Sequence, residues 1–297
     1  MFHPQGIIVP IVTPVDSEGR FCEPAYRRLI DYLAQNRIRG VFPFGTTGEF
    51  YAFDEGLYRH VLEVTRDAVH GRMDIYAGAN HITPGGALRL CRIAEEVGVD
   101  ALSVLTPMFV SQTQEEVYAF YRAVTEGTCL PVVVYNNKPK TNVTVEPATV
   151  VRLSELPGIV AIKDSTGDMT NTEEYLRLTR DNPDFAVLIG RDTLILAGLC
   201  YGAQGAIASC ANVAPAVAAD IYDCYQAGRL REALDAQFRL AELRVNTSMG
   251  TFPVVLKEAL RMIGLDCGDC MAPILPLEAD QRRRLREVLI HIGLLNQ

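Results

Sequence analysis

The stretch Gly158-Ile159-Val160-Ala161-Ile162-Lys163 sets four apolar residues in a row between a glycine and a terminal lysine. A half-buried strand alternates apolar and polar side chains, whereas an unbroken, β-branched run of this length reads as a strand covered on both faces, as in a parallel sheet. Working outward, comparable runs fall at residues 7–13, 40–44, 74–77, 100–105, 131–135, 159–163, 186–189 and 205–209. Longer segments between them carry the helical period. Residues 24–35 place Tyr26, Leu29, Ile30 and Leu33 on one stripe, and residues 54–69 and 85–97 read the same way. Thr113 followed by Glu116 spells a capping box ahead of another helix.

Strands alternating with helices in this number predict an α/β fold, a closed (β/α)8 TIM barrel rather than an open sheet. After residue 209 the strand pattern stops, and residues 214–226, 230–245, 254–264 and 279–291 all read as helices. The expected organisation is a barrel catalytic domain over 1–226, followed by a C-terminal helical bundle over 227–297. The length of 297 residues suits a barrel of roughly 250 residues with such an extension.

Composition narrows the function. With 48% hydrophobic and 22% charged residues the chain can build a large core, which argues against disorder. The net charge of −8 and the lack of a basic stripe exclude a nucleic-acid footprint. The one basic cluster, Arg282-Arg283-Arg284, reads as a solvated helix face. No uncharged apolar run is long enough to cross a membrane, and the first ten residues, with Pro4 and Pro10, do not read as a signal peptide. The eight cysteines, with Cys91, Cys129, Cys200 and Cys210 in apolar runs, suit reduced, buried thiols in a cytoplasmic protein. Cys267 and Cys270 have C-x-x-C spacing, but neither a second pair nor a strand-to-helix context accompanies them.

Active sites of such barrels lie at the C-terminal ends of the strands. The chain has four lysines against 24 arginines, and Lys163 closes a buried apolar run. Burial there would lower its pKa and yield a neutral amine, the nucleophile that a carbonyl requires. The plain alternative is a lysine that reaches solvent or pairs with Asp164; position alone does not separate the two, and the other strand ends decide. Gly45-Thr46-Thr47-Gly48-Glu49 follows the second strand and offers hydroxyls and backbone N–H groups to a carboxylate, though it would also serve as an ordinary turn. Tyr135-Asn136 ends the fifth strand, where a phenol could relay protons or simply rest its tip in water. Gly190-Arg191-Asp192 and the run 205–209, which contains Ile207, could line the pocket floor.

Together, the G-T-T-G-E, Y-N and G-I-V-A-I-K-D-S-T-G-D segments resemble, in order and spacing, the dihydrodipicolinate synthase/N-acetylneuraminate lyase family of class I aldolases. The resemblance runs from Gly6 to the C-terminal helices. It implies that Lys163 is the Schiff-base lysine and that Tyr135 relays protons and contacts the substrate carboxylate. It further implies that Thr46 joins the relay, that Thr47 with Gly48 holds the carboxylate, and that Gly190, Asp192 and Ile207 lie near bound substrate. The implied substrate is a small 2-keto acid, with no metal or organic cofactor, and the implied assembly is a homotetramer built as a dimer of dimers.

Two departures touch the half of the pocket that receives a second substrate. Thr106-Pro107-Met108-Phe109 stands where the synthases carry paired tyrosines, and Lys140 stands where they carry an arginine that grips the aldehyde partner's carboxylate. A lysine holds an anion as a point charge rather than as a bidentate fork. The expected activity is therefore a lyase acting on pyruvate or a hydroxylated 2-keto acid, of aldolase, dehydratase or deaminase type. Condensation of pyruvate with aspartate semialdehyde is one alternative, and a non-catalytic keto-acid-binding protein is another. A metal-dependent aldolase would need clustered ligands, and the five histidines are scattered.

Overall fold

The computed structural model describes residues 2–296. The chain runs β1 (Gly6–Val9), α1 (Glu23–Gln35), β2 (Gly40–Val41), α2 (Glu55–Val69), β3 (Asp74–Gly78), α3 (Pro84–Val97), β4 (Ala101–Leu105) and α4 (Gln114–Glu126). It continues through β5 (Val132–Asn136), α5 (Lys138–Thr141), α6 (Pro147–Ser154), β6 (Ile159–Asp164), α7 (Met169–Thr179), β7 (Ala186–Ile189), α8 (Ile195–Cys200) and β8 (Gly205–Ile207). The helices α9 (Pro215–Gln226), α10 (Leu230–Asn246), α11 (Val254–Met262) and α12 (Ala279–His291) follow. The strands form one closed parallel barrel in the order β1 to β8, so the (β/α)8 architecture and the helical extension are as expected.

The barrel interior is a layer of side chains taken from alternate strand positions, among them Ile8, Phe42, Tyr76, Val133, Ala161, Leu188 and Ile207. The intervening residues, such as Val134, Ile162 and Val187, turn outward into a larger cluster shared with the helices. That division is why the strand sequences show no polar alternation: both faces are dry. Helix starts are built locally. Asp54 accepts from Leu57 N ahead of α2, and Thr113 with Glu116 forms the expected capping box at α4.

Three strands are shorter than their apolar runs suggested, and β2 is one of them, ending at Val41 rather than at residue 44. β1 stops at Val9 because Pro10 has no N–H to give, and Ile11 then bonds across to Phe42. β8 stops at Ile207, and Ser209–Asn212 winds into a 3-10 turn instead. Cys91 and Cys210 are buried as expected, but Cys129 and Cys200 are exposed, because they sit on a loop and at a helix end rather than inside their apolar runs. Arg282, Arg283 and Arg284 are exposed on α12, with Arg282 reaching Glu258 and Arg283 reaching Asp280. Among the described residues no helix is long and apolar enough to cross a membrane.

Candidate active site

Strand parity aims the chemistry. Tyr135 on β5, Lys163 on β6 and Leu188 on β7 are register partners, so the three lie in one row across the barrel wall. Side chains alternate along a strand, and Lys163 therefore shares the inward face with Ala161, while Asp164 turns outward. There Asp164 accepts from Asn136, Thr166 and Thr172 at 3.1, 3.0 and 2.6 Å. The lysine thus neither escapes to solvent nor pairs with its neighbour. It is 3% exposed, and its Nζ lies 3.8 Å from the centre of the Tyr135 ring and 5.2 Å from that of Phe42.

Burial pulls the Lys163 amine below the usual ammonium range, against the opposing pull of Tyr135 and Asp192. Burial alone would push the Tyr135 phenol up, but the Lys163 charge and the hydrogen bonds from its neighbours outweigh it and bring the phenol down. Both groups are thus shifted toward the pH range in which a proton can be passed between them. Asn137 Nδ2 donates to the Tyr135 hydroxyl at 2.8 Å, and Thr46 Oγ1 shares a hydrogen bond with it at 3.3 Å.

These groups open into a cavity of about 300 Å³ whose walls include Thr46, Thr47, Tyr135, Lys140, Lys163, Gly190, Asp192 and Ile207. Of the residues expected at the site, Gly48 is the exception. It does not line this cavity; its amide is spent on Gly45 O, and its carbonyl accepts from Thr13 Oγ1. Gly48 therefore shapes the turn: a Cβ there would meet Ile11 O at 3.0 Å. The Thr46 and Thr47 amides, by contrast, make no hydrogen bond among the described residues, which leaves two donors beside two hydroxyls. Gly190 is demanded by space, since a Cβ would come within 2.0 Å of Ser165 Oγ and 2.8 Å of Asp164 O. Asp192 reaches the cavity with its carboxylate committed, accepting from Cys210 N at 2.7 Å and Ser209 Oγ at 3.0 Å.

The structure adds residues that the sequence reading passed over. Asn137, next to the Y-N pair, holds the tyrosine; Arg191 stood in a quoted segment and lines the wall. Arg244, from the C-terminal end of α10, reaches the cavity and sets its Nε 3.3 Å from Asp192. No local pattern marks Arg244, because α10 reads as an ordinary amphipathic helix. Glu49, the last residue of the threonine turn, points away from the cavity and is fully buried against Lys257 at 2.7 Å. Met271 N donates to the same carboxylate, and Lys257 Nζ donates to Asp269 O, so the turn is tied to the C-terminal segment. Among the described residues no group of three or more His, Cys, Asp and Glu side chains is arranged to hold a metal ion. Burial pushes the Cys267 and Cys270 thiols up to about 12, far from thiolate chemistry.

Comparison with known proteins agrees with the fold. The model of the dihydrodipicolinate synthetase family matches residues 3–292. A 4-hydroxy-tetrahydrodipicolinate synthase from Syntrophus aciditrophicus is 34% identical over 291 residues, covering 98% of this chain and 99% of the relative. The crystal structure of dihydrodipicolinate synthase from Thermotoga maritima superposes with a TM-score of 0.95 at 30% identity, covering 98% of this chain and 99% of that one. The Acinetobacter baumannii dihydrodipicolinate synthase complexed with pyruvate gives a TM-score of 0.93 at 30% identity, with 98% and 99% coverage. With the family model matched over residues 3–292 and relatives 30–34% identical along nearly the whole chain, this protein belongs to the dihydrodipicolinate synthetase family of lyases.

Proposed function

We propose that Lys163 forms a Schiff base with C2 of pyruvate or of a hydroxylated 2-keto acid, and that the chain works as a class I lyase. The observation that carries this reading is the Lys163 amine, buried and depressed in proton affinity, 3.8 Å above the Tyr135 ring in a cavity shared with Thr46 and Thr47. The substrate carboxylate rests on the Thr46 and Thr47 turn. The neutral amine adds to the carbonyl carbon, Tyr135 and Thr46 carry protons to the departing hydroxyl, and water leaves. The resulting iminium draws electrons from C3, so a C3–C4 bond breaks or forms, or a leaving group departs. The relative solved with pyruvate supports the choice of keto acid. No metal or organic cofactor is needed for this chemistry. Borohydride reduction with pyruvate should leave a stable adduct on Lys163, absent in Lys163→Ala; no adduct with any of several keto acids would refute the mechanism.

A second reading, 4-hydroxy-tetrahydrodipicolinate synthase, is favoured by the names of the full-length relatives. Turnover of pyruvate with aspartate semialdehyde in a coupled assay selects it. A non-catalytic keto-acid binder would trap pyruvate yet turn over nothing. The barrel over 1–226 carries the chemistry in this proposal, and the helices over 227–297 close the pocket. A homotetramer is the proposed assembly, supported by exposed apolar side chains at Phe109, Val110, Tyr51 and Ile82, and light scattering would read its mass. Eight free cysteines support a cytoplasmic setting.

A further inference from the structure

Two asparagines follow Tyr135, and the structure gives them different tasks. Asn136 is fully buried and turns out of the barrel. Its Nδ2 donates to Asp164 at 3.1 Å and to the Tyr175 hydroxyl at 3.0 Å, and its Oδ1 accepts from Val145 N at 3.2 Å. The fold accounts for that side chain. Asn137 stands at the N-cap of α5, where an asparagine ordinarily turns its side chain onto the first amides of the helix. Among the described residues it makes no such bond. Its backbone carbonyl alone closes the turn, accepting from Lys140 N at 2.9 Å and Thr141 N at 3.1 Å. The side chain is buried on the cavity wall instead, with its Nδ2 on the Tyr135 hydroxyl at 2.8 Å.

The sense of that bond is fixed by chemistry. An amide NH₂ only donates, so the phenol oxygen accepts on this side. The single phenol proton is left for the side where Thr46 Oγ1, at 3.3 Å, and the Lys163 amine lie. The segment that departs from the synthases brings no second phenol: Thr106 spends its hydroxyl on Thr141 at 3.1 Å, and Met108 and Phe109 have no proton to give. Burial opposes ionisation of the Tyr135 phenol, and the Asn137 bond is among the contacts that offset it.

We propose that Asn137 is a positioning residue of the dehydration step, holding the Tyr135 oxygen as an acceptor and so aiming its proton at the departing hydroxyl. The inference rests on the Schiff-base reading and deepens it. In that step the nitrogen lone pair of the carbinolamine closes the C=N bond as the C2–O bond breaks. A proton from Tyr135, passed along Thr46, leaves with the hydroxyl as water. The electron pair of the phenol O–H bond stays on the phenolate oxygen, which Asn137 and Thr46 hold. A donor already in place when that charge develops needs no reorganisation at the moment of reaction.

The test follows borohydride trapping of pyruvate on the full-length chain in the parent, Asn137→Leu, Asn137→Ala, Tyr135→Phe and the double variant Asn137→Leu with Tyr135→Phe. Asn137→Leu should slow adduct formation at saturating pyruvate by about 10- to 100-fold, the worth of one hydrogen bond to a developing charge. Half-saturating pyruvate should stay within about twofold of the parent, because the Thr46 and Thr47 turn holds the carboxylate. Asn137→Ala should behave the same way. In the Tyr135→Phe background no phenol oxygen remains, so Asn137→Leu should slow the reaction by less than about twofold more. A general loss of structure would instead slow both backgrounds alike. If pyruvate is trapped while both single variants keep the parent rate, or if the two losses add in the double variant, the positioning role is overturned and the lyase reading stands. If pyruvate gives no adduct on Lys163, the Schiff-base reading fails and takes this inference with it.

Discussion

Replacing Lys257 by methionine leaves the Glu49 carboxylate charged, fully buried and without its cation. At the observed 2.7 Å separation, Coulomb's law with an effective dielectric of about 20 gives roughly 6 kcal/mol of attraction. Removing both charges from water costs several kcal/mol per ion, so the pair contributes little net stability, yet losing one partner costs about 3–5 kcal/mol. Met271 N still donates to Glu49 and offsets only part of that loss. The expected result is a melting temperature lower by on the order of 10 °C, followed by circular dichroism at one protein concentration. Because Glu49 closes the turn bearing Thr46 and Thr47, pyruvate trapping should weaken as well. The double variant Lys257→Met with Glu49→Gln removes the orphaned charge and keeps an acceptor for Met271 N, so it should melt above Lys257→Met alone. Two results would refute the reasoning: a single variant melting within about 2 °C of the parent chain, or a double variant less stable than the single.

Tyr135→Phe removes the hydroxyl held by Asn137 and Thr46, and the rate of adduct formation with pyruvate should fall by about 10²–10⁴ in quenched borohydride time courses. Burial lowers the proton affinity of Lys163, so the trapping rate should rise with pH with a midpoint below the ordinary lysine value of about 10.4. A midpoint at or above that value would contradict the assignment. The same shift sets a stability sign. The unfolded chain holds the Lys163 proton more tightly than the native chain, so below the unfolded pKa protonation favours unfolding. Lys163→Met should therefore melt above the parent at neutral pH, with the gain fading as pH rises through the unfolded value; equal gains at pH 7 and above pH ~10.5 would count against the buried amine.

The sequence alone determined the barrel, because eight dry strands separated by amphipathic helices leave few other ways to cover both faces of a parallel sheet. It also singled out Lys163, Tyr135 and the threonine turn, since each ends a strand and strand ends converge on one mouth. An unbroken apolar run carries no alternation, so position alone left the aim of Lys163 open, and the register with Tyr135 and Leu188 across the barrel wall decided it. What the local pattern could not carry was juxtaposition across the chain. Glu49 stood in the same quoted turn as Thr46, yet the fold turns it outward onto Lys257, and Gly48 spends its amide within the turn. Arg244 reaches the cavity only because α10 packs back across the barrel mouth, a placement fixed by α8, α9 and α12 rather than by anything near residue 244. Burial patterns are written one element at a time, whereas the partner of a buried charge is chosen only when the elements close on one another.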